Sequence, residues 1–429
     1  MLPDDPGDPL SQLRHRTFDD ALGRRIVDTH IWAVREGLRG ADAYHLFDGY
    51  CQRLVIDKVP LWRAQAAMET LHPQWNGYGY TWRRDLNAIE PESYAHTDEN
   101  DRLLFASPFY ALMQRALAGE NAPSLRRRVA ASSSERDFPI LQEFHERGVT
   151  DYFAQIFAYG AAGDRSQGTG IAYSFATDRM GGFSDDDATL VQSTLPALSL
   201  AMKAHAGRVI AAGLLATYLG EDAGRRVHAG SIMRGSVDNL RAVIWYADIR
   251  GFTAVSDAAP GPVVVELLND VFEILTASLR ERGGQVLKFI GDAMLAIFPF
   301  EEADRSETCR RALDAAIEAM SAIDALNAAR TAAGAPLASV DLALHLGDVL
   351  YGNVGATDRL DFTVIGPAIN EAARIEALCE PLGRAVLVSA EFVVGMGASD
   401  ARLTSLGRHT LRGVRDAKEV FALDLEGGG

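Results

Sequence analysis

Two aspartates offer the first legible chemistry. Asp248 closes the apolar run 243–247, rich in β-branched and aromatic residues, and Gly251 follows it, which is the pattern of a buried strand ending on a carboxylate. Asp292 belongs to Gly291-Asp292, which separates the apolar runs 286–290 and 293–298 as the tight turn of a hairpin. Taken singly, Asp292 is an ordinary hairpin residue and Asp248 a cap for the following turn. On neighbouring strands they converge. With the backbone carbonyl of Ile249 they form hard oxygen ligands suited to two magnesium ions that also bind phosphates.

Further candidates surround this pair. Lys288 lies between Leu287 and Phe289 in the hairpin, which reads as core, so its charge needs a partner there. Asn370 and Arg374 sit four residues apart and share one helix face, in a helix that Gly366-Pro367 starts beside the strand carrying Thr363. Alone, they would be an exposed helical pair.

The positioning elements follow from periodicity. Gly261-Pro262 opens a helix with Val264, Leu268, Val271, Leu275 and Leu279 at three-to-four spacing, and Gly283-Gly284 ends it. A second helix is expected over about 303–332, then strands over 340–346 and 349–354 with Gly347-Asp348 between them. Strand, helix, hairpin, helix, strand is the order of a split β-α-β, ferredoxin-like core, so the fold class is α+β.

Four ordered segments carry a resemblance. Ala247-Asp-Ile-Arg-Gly-Phe-Thr253, Leu287-Lys-Phe-Ile-Gly-Asp-Ala-Met294, Leu344-His-Leu-Gly-Asp-Val-Leu-Tyr-Gly-Asn-Val-Gly355 and Asp361-Phe-Thr-Val-Ile-Gly-Pro-Ala-Ile-Asn-Glu-Ala-Ala-Arg374 resemble the successive motifs of class III nucleotidyl cyclases. The resemblance implies that Asp248, Ile249 and Asp292 hold two Mg2+ or Mn2+ ions and that Lys288 and Thr363 read the purine. It further implies that Asn370 orients the ribose, that Arg374 stabilises the transferring phosphate, and that Arg412 or Arg415 contacts the terminal phosphates.

Lysine at 288 implies ATP over GTP, since guanylate cyclases of this family carry glutamate there, and threonine at 363 resembles the subgroup with bicarbonate-responsive members. The implied enzyme is an adenylate cyclase acting as a homodimer with two shared active sites. The alternatives are a guanylate cyclase, or a signal-binding regulatory protein with a non-catalytic cyclase domain. Diguanylate cyclases are set aside because Gly291-Asp292-Ala293 replaces their Gly-Gly-Asp/Glu-Glu-Phe turn.

Composition bounds the rest. At 429 residues, 48% hydrophobic and 23% charged, the chain is long enough for two domains of a soluble type, with no run expected to span a membrane. A net charge of −16 opposes a nucleic-acid surface. Three dispersed cysteines, Cys51, Cys309 and Cys379, suggest neither disulfides nor a zinc site, and the proline-rich acidic start lacks a signal peptide's apolar core, so a cytosolic protein is expected.

Residues 1–17 read as a flexible tail and 18–56 as helical. Strand character follows over 60–71 and 77–82, with Tyr78, Tyr80 and Trp82 on one face. The runs 92–102 and 126–136 read as loops, 138–147 as a helix stopped by Gly148, and 152–159 and 170–177 as antiparallel strands joined by 160–168. Ser184-Asp-Asp-Asp187 starts a further helix that Pro196 can kink.

This layout over 18–206 resembles a GAF-type sensor domain, which implies a small-molecule ligand. Trp62, Trp75, Tyr78, Tyr80 and Trp82 could line a pocket or simply fill a core, and His72 shows no metal spacing. A helical linker over 207–240, which could pair with its copy in a dimer, leads to the catalytic domain at 241–429.

Overall fold

The computed structural model describes residues 20–69, 75–159, 170–397, 400–414 and 416–425, with the Trp75 side chain left aside. The expected tail 1–17, His72, the joining segment 160–168 and Arg415 lie outside those residues. Contacts divide the chain into two units, Met1–Leu214 and Leu215–Gly429.

In the first unit, the expected helical stretch is built as two helices. Helix α1 (Ala21–Arg39) ends on Gly40 at φ 79°, and α2 (Ala43–Ile56) restarts where Asp42 accepts from the His45 amide at 2.7 Å. Strands β1 (Arg63–Glu69), β2 (Trp75–Arg83), β3 (Ala88–Ala95), β4 (Ser124–Arg127), β5 (Asp151–Ala158) and β6 (Gly170–Thr177) form an antiparallel sheet ordered β3-β2-β1-β6-β5-β4.

Two expected loops are corrected. Residues 92–102 complete β3 and enter α3 (Asp98–Phe105), and 126–136 begins in β4. Their polar side chains concealed elements whose exposed faces dilute the apolar period. Helices α4 (Pro108–Leu117) and α5 (Pro139–Glu146) follow, and Gly148 at φ 84° lies just past α5.

The capping box at Ser184 forms reciprocally: the Asp187 amide donates to Ser184 Oγ at 3.1 Å and the Ser184 amide to Asp187 Oδ2 at 2.9 Å. It starts α6 (Asp185–Leu219), which continues through Pro196. Among the described residues α6 is the one helix long and apolar enough to cross a bilayer by length and composition. Its Leu190, Leu195, Leu198 and Met202 are packed in a core with Phe47, Tyr50, Trp82, Tyr173 and Phe175. The opposite sheet face carries Tyr152, Ala154 and Ile156 against Leu112, Leu141 and Phe144.

In the second unit, α7 (Glu221–His228) leads into β7 (Val237–Ile249), followed by a short helix α8 (Phe252–Ala258) and the expected α9 (Gly261–Glu281). The hairpin is β8 (Gln285–Ile290) and β9 (Ala293–Pro299); α10 (Arg305–Ala333) and β10 (Val340–Gly355) complete the core. The order β10-β7-β9-β8, antiparallel throughout, is the split β-α-β arrangement. β10 is one strand, not two: Gly347 and Asp348 stay in register with Ala242 and Arg241 of β7.

Beyond β10 come β11 (Leu360–Ile365), α11 (Pro367–Glu376), the short α12 (Cys379–Leu382), β12 (Val386–Ser389), α13 (Ala390–Met396), β13 (Leu403–His409) and β14 (Lys418–Leu423). Glycine at 347 follows from packing, because a Cβ there would stand 2.5 Å from the Ala368 Cβ of α11.

Candidate active site

Period-two alternation orients β7. Val243, Trp245, Ala247 and Ile249 point into the helix-covered core with Leu267, Val271, Leu275 and Phe298. Tyr246 and Asp248 therefore emerge on the other face, where Ala242 and Ile244 pack with Ala368 and Ala372 of α11. Gly291, at φ 66°, makes the turn that brings Asp292 back beside the end of β7.

The two aspartates meet as the spacing suggests. Burial and the hydrogen-bonding, like-charged Asp292 push the Asp248 carboxyl up to about 6, while its Oδ1 accepts from the Ile249 amide at 2.9 Å. A carboxyl pair that holds a proton near neutrality is one that a cation would discharge. Among the described residues no third His, Cys, Asp or Glu side chain completes a ligand set, so the donors present are two carboxylates and backbone oxygen. That set suits hard, oxygen-seeking divalent ions.

Three residues join the site that spacing alone did not single out. Asp341 lies opposite Asp248 on β10, 4% exposed, and is neutralised by a bidentate contact from Arg250, with Nε–Oδ2 at 2.9 Å. Glu376, buried at the end of α11, is pushed up to about 8 by burial and by Asp248, Asp341 and Asp292, against the opposing pull of Arg250. Burial, Asp248, Glu376 and Asp292 raise the Tyr246 phenol. The available signal for Glu376 was an acid set inside the apolar, helical run that follows Arg374.

These shifts set a pH dependence. Asp248 and Glu376 bind protons more tightly folded than at their ordinary values of 3.8 and 4.5, so their contribution to stability is present at low pH and lost as pH rises through about 6 and about 8. Metal-free protein is expected to melt at falling temperature between about pH 5 and pH 8, with Glu376→Gln flattening the upper part of that slope. Parallel melting curves for wild type and variant would sink the assignment.

The base-side candidates lie elsewhere in the same unit. Lys288 is half-exposed rather than in the core, because its segment of β8 turns outward, and its Nζ is paired with Asp361. Phe362 and Val364 fill the core, which leaves Asp361 and Thr363 together on the other face of β11, with Thr363 opposite Gly352. Asp361 was legible as the residue two positions before Thr363.

Asn370 is exposed on α11, and Arg374 sits against the turn after β13, where a Cβ on Gly413 would stand 2.9 Å from its Nη1. Exposed Arg412 precedes that glycine, so two guanidinium-bearing residues border one turn. Among the described residues, neither Asn370 nor Arg374 has a side-chain hydrogen bond or ion pair. The charges acting on Asp248 are carboxylates; Lys288 and Arg374 are not among them.

Comparison with known proteins bears on this unit. Residues 237–424 match the model of the adenylate and guanylate cyclase catalytic domain. An adenylate cyclase of Anabaena cylindrica is 36% identical over 39% of this chain and 33% of its own length. Adenylate cyclase 1 of Rhizobium meliloti (strain 1021) is 29% identical over 41% of this chain and 26% of its own. The chain thus spans about a third or less of the length of these curated relatives. Among solved structures, a bacterial light-regulated adenylyl cyclase is 27% identical, covering 49% of this chain and 60% of the other, with a TM-score of 0.43. The guanylyl cyclase Cya2 is 25% identical over 44% and 93%, with a TM-score of 0.38. Residues 237–424 are thus similar to adenylate and guanylate cyclase catalytic domains.

Proposed function

We propose that this cyclase domain converts ATP to 3′,5′-cyclic AMP and pyrophosphate, in a homodimer whose two active sites are each built from both chains. The observation that carries the reading is the convergence of Asp248 and Asp292 into a carboxyl pair that lacks a counter-charge. Two Mg2+ or Mn2+ ions held by Asp248, Asp292 and the Ile249 carbonyl would lower the pKa of the ribose 3′-hydroxyl and neutralise the polyphosphate.

The remaining work falls to side chains. The 3′-oxygen attacks the α-phosphorus, the bond to the β-phosphate oxygen breaks, and the hydroxyl proton passes to water or substrate. Asn370 orients the ribose, and Arg374's planar fork holds charge on the transferring phosphate while Arg412 or Arg415 meets the terminal phosphates. Lys288 donates to adenine N1, and the Thr363 hydroxyl accepts from the N6 amine.

Sharing between chains is supported by the separation of the two groups of residues: no described hydrogen bond or ion pair joins Lys288, Asn370 or Arg374 to either metal-site aspartate. It is also supported by α6, where Ala204, Ala211 and Tyr218 are exposed at heptad spacing, as a helix pairing with its copy requires. We read the N-terminal unit as a GAF-like sensor that regulates the site through this helix.

The direct test supplies purified protein with ATP or GTP and Mg2+ or Mn2+ and quantifies each cyclic product. Cyclic AMP in excess is expected. Cyclic GMP in excess favours the guanylate cyclase reading, and no product favours a regulatory protein. Lys288→Glu is expected to lower kcat/KM for ATP by about a hundredfold, since a donor facing N1 becomes an acceptor facing an acceptor. Unchanged selectivity would remove Lys288 from base recognition.

A further inference from the structure

The first unit holds a cavity of about 570 Å3, a volume in the small-molecule range, on the sheet face covered by α5. Its apolar floor is Trp62, Ile140 and Phe144, with the Trp62 and Phe144 rings edge to face at 5.5 Å. Four arginines line it, and three are closed by carboxylates. Arg83 pairs with Asp85 and Glu90, Arg84 grips Asp178 at 2.7 and 3.0 Å, and Arg147 meets Glu143 at 3.3 Å while lying over Trp62.

Arg63 differs. Among the described residues its guanidinium makes one hydrogen bond, from Nη2 to Thr81 Oγ1 at 3.2 Å, and has no carboxylate in ion-pair contact; it rests 5.6 Å from the Phe144 ring centroid. Burial lowers its affinity for a proton, against the opposing pull of Tyr152, Glu92, Tyr94 and Glu143 at longer range. Guanidinium has five donors in a fork that fits a carboxylate. Thr81 Oγ1 donates in turn to Glu92 Oε1 at 3.0 Å, and Glu92 Oε2 accepts from the Tyr94 hydroxyl at 2.6 Å. Among the described residues Glu92 thus receives two hydroxyls but no cation in ion-pair contact.

We infer that this cavity binds a zwitterionic amino acid with an aromatic side chain, its carboxylate on Arg63, its ammonium on Glu92 and its ring on Trp62. A cation and an anion held apart by a single hydroxyl, rather than in direct contact, are the complement of such a head group. The indole and phenyl surfaces match a flat apolar body. Nothing in this assignment depends on the cyclase reading of the second unit.

The test titrates the full chain calorimetrically with L-phenylalanine and L-tryptophan, and with 3-phenylpropanoate and 2-phenylethylamine, which lack the ammonium and the carboxylate respectively. The amino acids are expected to bind at least about tenfold more tightly than either analogue. Arg63→Gln should abolish the advantage over 2-phenylethylamine, and Glu92→Gln the advantage over 3-phenylpropanoate. Equal binding of amino acid and analogue overturns the proposal, as does no binding up to about 10 mM, an affinity too weak for a built site. The analogue series decides the matter on the wild-type chain even where a variant does not fold.

Discussion

Asp248→Asn and Asp292→Asn are each expected to cut cyclic nucleotide production at least about a thousandfold, equivalent to about 4 kcal/mol of barrier. Asparagine keeps the shape and a carbonyl oxygen but loses the charge that holds a divalent ion. The same substitutions should raise the melting temperature of the metal-free protein near pH 8 by about 2–4 °C, a modest figure because the pair is partly solvated. The direction follows from the raised Asp248 pKa: at that pH the wild-type chain bears the cost of ionising Asp248 in a partly buried place beside a second carboxyl group.

Divalent ions should raise the wild-type melting temperature and leave the variants unmoved. Opposite signs for activity and stability separate this outcome from a folding defect, in which both fall. Activity within about tenfold of wild type would show that the aspartates are not the metal ligands.

The second large effect is restoration. Asp248→Ala and Asn370→Ala chains are each expected to be inactive alone, yet mixing them equally should recover about a quarter of wild-type activity. Random pairing makes half the dimers mixed. In each of those, one site receives both lesions and the other receives neither. A mixture as inactive as its components, under conditions where exchange of subunits is verified with differently tagged chains, would place the whole site within one chain. Recovery also requires the dimer to bring Asn370 of one copy to Asp248 of the other.

Much of the second unit was legible from local pattern. The hairpin around Gly291-Asp292, the long helices, and the helix bearing Asn370 and Arg374 all follow from turn chemistry and apolar period, which act over a few residues. The polar stretches misled. Residues 92–102 looked like loop because exposed faces carry charge whether or not the backbone is regular, and Gly347-Asp348 looked like a break although a glycine was needed there to admit Ala368. Lys288 looked buried because its neighbours are apolar, whereas Phe289 and Ile290 beside it are themselves exposed, at 48% and 46%.

What the amino-acid sequence by itself determined is the identity and order of the chemical groups: two carboxylates at strand ends, a lysine four residues before the second, and an asparagine and arginine on one helical face. Only the tertiary structure decided their company. Asp341 faces Asp248 through strand pairing, Glu376 approaches both aspartates because α11 crosses their sheet, Lys288 meets Asp361, and Arg63 reaches Thr81 rather than a carboxylate among the described residues. These partners are distant in sequence, and no local rule fixes the distance between them. Their electrostatics depend on which strands pair and what is buried, quantities that exist only once the chain has folded.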